Sequence, residues 1–281
     1  MKVYLGTAGI PISSKERNTL GGIKHLAKIG LQSMEVQFVR GVGMSDQMAK
    51  EVGKLAKELN IKLSVHAPYY INFCSQEKEK LEASKKRILD SCERANFMQA
   101  SPVTFHPGFY GKLTSEQAFQ ATKKACEDLV DSMQKKGIEN VKLGPEIMGK
   151  QSAFGTVEET VRICKEVKCC VPVVDWAHIN TRTGGGLVTQ ADYAKIFDKL
   201  KPLKLNHLHM HVTCAEFSQV GEGKGNERYH LPLKAKKPDF KPLVKEILRR
   251  KIDVTIISES PILEQDALLL KKMFEKNGYK F

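Results

Sequence analysis

VPVVDWAHIN (Val171–Asn180) begins as a buried strand and ends as something else. Val171, Val173 and Val174 are β-branched, and Pro172 sits where a strand tolerates proline, at its start. The run then delivers a carboxylate, Asp175, and an imidazole, His178, three residues apart. Either the pair is local turn chemistry, or it lies at the rim of a site that binds something.

Seven similar runs surround this one. They are KVYLGT (2–7), SMEVQFV (33–39), IKLSVH (61–66), PVTFH (102–106), VKLGPEI (141–147), LNHLHMHV (205–212) and DVTIISE (253–259). Between them lie longer segments with apolar residues at helical spacing, such as LTSEQAFQATKKACEDLVDSMQKKG (113–137) and TVEETVRICKEVK (156–168). Thr114 and Ser115 suit a helix start, and Gly137 suits its end. Strands separated by helices pair in parallel, because each crossover contains a helix. Eight such units predict a closed (β/α)8 TIM barrel, a fold of about 250 residues. The 281 residues, 1–281, then form a single domain without a linker or low-complexity tract. An open doubly wound sheet is the alternative, but GTAGIP after the first run does not match GxGxxG.

Composition is globular: 41% hydrophobic and 27% charged. The net charge of +13 points to polyanions, nucleic acid first, unless the lysines, spread over the whole chain, only form a solvated surface. No run approaches the roughly 20 apolar residues of a membrane span, and MKVYLGTAGIPIS has no cleavable signal pattern. The cysteines number seven, without a CxxC pair, which argues against a disulfide framework or a cysteine zinc site. A cytoplasmic protein with reduced thiols is expected, with no membrane partner.

The polar residues fall at the strand ends. His66, His106, Glu146, Asp175, His211 and Glu259 end six consecutive runs. In a parallel barrel these ends share one face, where active sites lie. Ion pairing or turn capping explains any one of them, but poorly all six. Three imidazoles and three carboxylates form a nitrogen and oxygen donor set for zinc-like or manganese-like ions. They are too many for one tetrahedral ion, so a cluster with a bridging carboxylate is expected. Paired ions activate water and stabilise a leaving oxygen, chemistry that suits phosphodiester hydrolysis. His207, His209 and His211 alternate and so face the same side of their strand. His211 lies nearest the active face; His207 and His209 are expected as supporting or core residues, and His25 at the surface. After this strand comes a long connection, TCAEFSQVGEGKGNERYHLPLKAKKP (213–238), expected to be a functional or mobile loop. Its His230 and His178 are candidates for a further metal.

In order along nearly the whole chain, VHAPYYIN, FHPG, PEIMGKQSAFG, VVDWAHINT, MHVT, GEGKGNERYHLPL and SES resemble the endonuclease IV family of apurinic/apyrimidinic endonucleases, a branch of the xylose-isomerase-like barrels. The resemblance implies a trinuclear zinc cluster. His66, His106 and Glu146 would hold the first ion. Glu146 would bridge to the second, with Asp175, His211 and Glu259, and would help orient the attacking water. His178 and His230 would hold the third. It implies incision of double-stranded DNA 5′ to an abasic or damaged site, leaving a 3′-hydroxyl, by a monomer. Tyr69 and Tyr70 match the residues that enter the lesion gap, and Arg40 is a looser match; the two tyrosines otherwise pack over the barrel mouth. Two departures stand out. Arg228 occupies the position of an aspartate two residues before the last metal-binding histidine, with Glu227 beside it as a possible ligand. The pattern His-x-Asn-Asp reads His211-Val212-Thr213-Cys214. They leave open two ions or three, and zinc or manganese. The competing functions are a sugar isomerase or epimerase on the same barrel, using Glu146, Asp175, His211 and Glu259, and a catalytically weak protein that binds lesion DNA.

Overall fold

Each of the eight runs becomes a strand in the computed structural model, which describes residues 1–281. In chain order the elements are β1 (Val3–Ala8), α1 (Thr19–Lys28), β2 (Ser33–Gln37), α2 (Asp46–Glu58), β3 (Lys62–His66), α3 (Lys78–Met98), β4 (Val103–Phe105) and α4 (Ser115–Lys135). Then come β5 (Leu143–Pro145), α5 (Val157–Glu166), β6 (Val173–Asp175), α6 (Trp176–Arg182), α7 (Gln190–Leu200), β7 (His207–Val212), β8 (Cys214–Gly221), β9 (Lys224–Leu231), α8 (Lys241–Arg250), β10 (Asp253–Ser258) and α9 (Glu264–Lys276).

Eight strands pair in the order β5-β4-β3-β2-β1-β10-β7-β6, all parallel. The two ends of that row meet. The Val171 N–H donates to the Leu143 carbonyl at 2.9 Å, and the Ile147 N–H donates to the Val173 carbonyl at 3.1 Å. These bonds close the sheet into the expected (β/α)8 barrel, with helices between the strands. No helix is long and apolar enough to cross a membrane.

Local chemistry sets the helix ends. Thr114 accepts from the Gln117 N–H at 3.2 Å, while the Gln117 side chain accepts from the Thr114 N–H at 2.9 Å. Thr156 and Glu159 repeat this reciprocal cap on α5. Each such cap is worth about 1 kcal/mol. Gly137 follows α4 at φ +66°, a left-handed turn that glycine adopts without strain. The inner stripe of α4, Ala118, Phe119, Thr122, Ala125, Cys126, Leu129 and Met133, recurs at helical spacing and is buried against the barrel.

The long connection after β7 is not an irregular loop. It folds into an antiparallel hairpin, β8 and β9, that turns at Glu222–Gly223. Its alternation of apolar and polar residues was masked by three glycines, and one of these has a packing role. A Cβ on Gly225 would lie 2.4 Å from the Thr181 carbonyl oxygen, so only glycine lets β9 lie this close to α6. The hairpin thereby covers one side of the barrel mouth.

Candidate metal centre

The strand register gathers the candidate residues. His66 and Asp175 are the last residues of β3 and β6, and His211 is the penultimate residue of β7. His106, Glu146 and Glu259 each lie one residue beyond β4, β5 and β10. All six therefore stand at the C-terminal rim. His178 comes from the first turn of α6 and His230 from β9. Asp175 answers the question its sequence posed, because it does both things at once. Its Oδ1 caps α6 by accepting the His178 N–H at 2.7 Å, and its Oδ2 stays buried without a hydrogen-bond partner.

Potential ligand atoms form three groups at this rim, each within 4.8 Å: His66, His106 and Glu146; Glu146, Asp175 and His211; and His178, Glu227 and His230; a fourth such group, Glu35, His209 and His211, lies below it on β2 and β7. Glu146 belongs to two of them. Its Oε2 lies 3.4 Å from His66 Nε2 and 3.2 Å from His106 Nε2. Its Oε1 lies 3.1 Å from His178 Nδ1 and 3.4 Å from His211 Nδ1. Glu259 Oε1 lies 3.3 Å from the same His211 Nδ1.

Short as these separations are, neither oxygen of the fully buried Glu146 accepts a hydrogen bond, and the two nitrogens of His211 also lack partners. Three of the imidazole protons are committed to backbone carbonyls. His66 Nδ1 is 2.8 Å from the Ala67 carbonyl, His178 Nδ1 is 2.8 Å from the Ile147 carbonyl, and His230 Nδ1 is 3.1 Å from the Glu259 carbonyl. A carbonyl only accepts, so each of these Nδ1 atoms carries a proton. The neutral ring then presents a bare Nε2 lone pair. For His66 that lone pair would face a carboxylate oxygen, two acceptors that only a proton or a cation between them reconciles. Ligand nitrogens and oxygens about 3.0–3.4 Å apart, with second nitrogens held by backbone, are the donor set of a divalent cation.

The electrostatics ask for the same positive charge. Burial disfavours the charged His66 ring, yet the Glu146 carboxylate lifts it to about 9. His230 is likewise disfavoured by burial and raised to about 9 by Glu227 and Glu259. His178 and His211 are raised well above the usual imidazole value against the same burial cost, the first by Asp175 and Glu227, the second by Glu35, Glu259 and Glu146. Burial pushes Asp175 up to about 6. Burial would raise Glu146 too, but His211 and His106 hold it well below the carboxylate range. Without a cation the cluster draws protons; with one, the cation takes their place. The residues present fit a metal centre.

Glu227 fills the place that Arg228 cannot. Its Oε2 lies 3.0 Å from His178 Nε2 and its Oε1 lies 3.0 Å from His230 Nε2. In regular strand geometry Arg228, not Glu227, would share a face with His230. The ladder shifts here: Glu216 pairs with Tyr229 but Phe217 pairs with Glu227, leaving Arg228 as an extra residue. This β-bulge rotates Glu227 onto the face of His230 and leaves Arg228 exposed. A glycine completes the fit, since a Cβ on Gly149 would lie 2.9 Å from His178 Cδ2 and 3.0 Å from Glu227 Oε2.

The other histidines of β7 descend into the barrel. His209 Nε2 is 2.8 Å from Glu35 Oε2, and His207 Nε2 sits lower, 2.9 Å from Thr255 Oγ1 and 3.2 Å from Lys62 Nζ. His25 is not fully at the surface: it is half-buried on α1, 2.8 Å from Ser13 Oγ. Glu35 is the residue that sequence reasoning missed. It lies inside an apolar run and not at a strand end, and an acid within a buried strand was the signal available.

At the rim, Tyr69 and Tyr70 are 50% and 64% exposed, far more than core aromatics. The Tyr69 ring stands 5.6 Å from the His66 ring and 5.9 Å from the His106 ring. Arg40 is exposed on the loop after β2, tied to the tyrosines by the Tyr69 N–H, which donates to the Val39 carbonyl at 3.2 Å. A cavity of about 230 Å³ opens onto His66, His106, His178, Glu227, His230 and Glu259, with Tyr69, Phe109 and Lys150 at its lip.

Comparisons with known proteins agree with this architecture. The family model described as xylose isomerase-like TIM barrel matches residues 23–275. An uncharacterized protein of Methanocaldococcus jannaschii is 34% identical over 98% of this chain and 97% of its own length. The apurinic-apyrimidinic endonuclease of Caenorhabditis elegans is 28% identical over 72% of this chain and 55% of its own length. Among solved structures, a D-tagatose 3-epimerase-like protein superposes with a TM-score of 0.70 at 20% identity, covering 98% of both chains. Endonuclease IV from Thermus thermophilus superposes with a TM-score of 0.68 at 18% identity, covering 96% of this chain and 98% of that one. At such identities the structural matches speak for the fold alone.

Proposed function

The chain belongs to the xylose isomerase-like TIM barrel family, and from the chemistry of its mouth we propose that it is a metal-dependent endonuclease that cuts DNA 5′ to abasic sites. One observation carries the reading. The mouth holds three metal-competent groups, two of them sharing Glu146 and the third completed by Glu227. Sugar chemistry at Glu146, Asp175, His211 and Glu259 leaves His66, His106, His178, Glu227 and His230 without a task. The named similarity to an apurinic-apyrimidinic endonuclease and the net charge of +13 support a DNA substrate.

Zinc or manganese ions, when bound, supply Lewis-acid activation of water and stabilise the departing 3′-oxygen. His66 and His106 would hold one ion, Asp175, His211 and Glu259 a second, and His178, Glu227 and His230 a third. Glu146 divides its two oxygens between the groups and so ties their positions together. Tyr69, Tyr70 and Arg40, exposed at the rim, would enter the gap left by a missing base, which costs less to unstack than an intact step.

The test is cleavage of a labelled duplex carrying one abasic-site analogue, with and without a strong chelator, restoring one metal at a time. Incision just 5′ to the analogue, lost with chelator and rescued by zinc or manganese, is expected. Duplex affinity should also fall steeply with salt, as phosphate contacts require. Turnover of a ketose with the duplex left intact would favour the epimerase. Metal-replete protein that binds the lesion but never cuts would make this a binding homologue.

A further inference from the structure

We infer that Glu35 is a positioning residue of the proposed centre: its Oε1, 3.0 Å from His211 Nε2, is the acceptor within reach of that nitrogen's proton, and a proton held there leaves the His211 Nδ1 lone pair facing Glu146 and Glu259. The inference rests on the metal-centre reading and names a residue outside the ligand set.

Glu35 sits on β2, fully buried, below the ring of strand ends. A carboxylate in such a place is costly unless its oxygens are satisfied. Its Oε2 accepts from Ser64 Oγ at 2.9 Å, Thr104 Oγ1 at 3.2 Å and His209 Nε2 at 2.8 Å. That oxygen is saturated. Its Oε1 accepts only the Gln37 amide, at 3.3 Å, and the remaining neighbour is His211 Nε2 at 3.0 Å. The Nε2–H of His211 points to one side of this oxygen and has no other partner.

Topology explains why a side chain takes this part. The rings of His66, His178 and His230 are held by the carbonyls of Ala67, Ile147 and Glu259. His211 lies in the middle of the sheet, flanked by Ile257 on β10 and Asp175 on β6, where neighbouring carbonyls serve the ladders. It also presents the opposite nitrogen, Nδ1, to its carboxylates. A buried acceptor beneath the ring must therefore come from a side chain, and Glu35 is the acid that reaches it. Partners of this kind set which nitrogen is free and raise ligand basicity, and losing one typically costs about 10–100-fold in metal affinity.

The experiment compares Co²⁺ and Zn²⁺ binding by the wild type, Glu35→Gln and His209→Gln, using a competing chelator and the Co²⁺ absorption bands. Glu35→Gln keeps the shape of the layer; His209→Gln removes the other imidazole on Glu35 while leaving its carboxylate. The expected result is a loss of about 10–100-fold for one ion in Glu35→Gln, with the remaining ions and His209→Gln within about threefold of wild type. In ¹⁵N-labelled protein the His211 Nε2–H should be a slowly exchanging, downfield proton that Glu35→Ala removes. Unchanged affinity in Glu35→Gln, an equal loss in His209→Gln, or no protected His211 proton in the wild type would each overturn the role of Glu35. Wild-type protein that takes up neither ion would instead overturn the endonuclease reading, and this inference with it.

Discussion

The bulge at Arg228 gives the sharpest prediction. Glu227→Gln replaces a carboxylate that lies 3.0 Å from two imidazole nitrogens, His178 Nε2 and His230 Nε2. The Glu227 side chain is only 14% exposed, so water does little to take over its charge. Breaking a buried charge pair by removing one partner costs about 3–5 kcal/mol. At about 1.4 kcal/mol per factor of ten, affinity for the ion at this group should drop by about 100-fold to a few thousand-fold. The assay is metal content after dialysis against graded chelator, read beside cleavage of the abasic duplex. Wild type should retain one ion more than the variant at intermediate chelator, and the variant should recover cleavage only at high added metal. The double variant Glu227→Gln, Arg228→Asp is the decisive control. Aligned by sequence, it restores an aspartate two residues before His230. In the bulged strand, however, residue 228 is the unpaired, exposed one, so the ion should not return. Recovery of wild-type ion binding in the double variant would refute the bulge argument, and full loading of Glu227→Gln would remove Glu227 from the site.

Three further outcomes are expected. Glu146→Gln should abolish metal-dependent cleavage, because one neutral amide cannot replace the charge that faces His66, His106, His178 and His211; a near-normal rate with unchanged metal content would sink the shared-ligand role. Tyr69→Ala should weaken binding to the abasic duplex by about 1–3 kcal/mol, the worth of an aromatic stacking contact, with a smaller loss on intact duplex; equal losses on the two would reduce Tyr69 to packing over the mouth. The chelated protein should lose stability on the alkaline side. Burial lowers the His66 and His230 values, but Glu146 and Glu227 carry them up to about 9, above the 6.5 of a free imidazole. A value raised on folding stabilises fully below pH 6.5, and the contribution disappears as pH rises through about 9. Tm under chelation should fall across that window, and saturating zinc should flatten the slope, since the ion then replaces the protons; a flat chelated profile would contradict it.

Much of this protein was legible in its sequence because the barrel writes itself in a period. Each apolar run had to be buried on both faces, and each helix between runs forced its neighbours parallel. The rim was legible for a related reason. A polar residue ending a buried strand can point only to the mouth, so His66, His106, Glu146, Asp175, His211 and Glu259 converged there as the spacing implied. What lay outside the period was harder. The hairpin of β8 and β9 was hidden by glycines that serve contact with α6, and glycines in a row read as loop.

Glu35 and Glu227 mark the limit of that reading, and they do so for the same reason. Both are placed by partners distant in sequence. Glu35 is tolerable in the barrel only because Ser64, Thr104 and His209, from three other strands, donate to it. Without them a buried carboxylate is an error in the pattern, and sequence alone cannot tell an error from a device. Glu227 reaches His230 only because β8 offers one residue where β9 offers two. Counting along β9 assigns the ligand position to Arg228, whereas counting across the hairpin assigns it to Glu227. A substitution at an aligned ligand position is therefore weak evidence that an ion has been lost. The neighbouring strand can restore the donor by shifting its register one residue, and the ladder, not the alignment, decides whether it has.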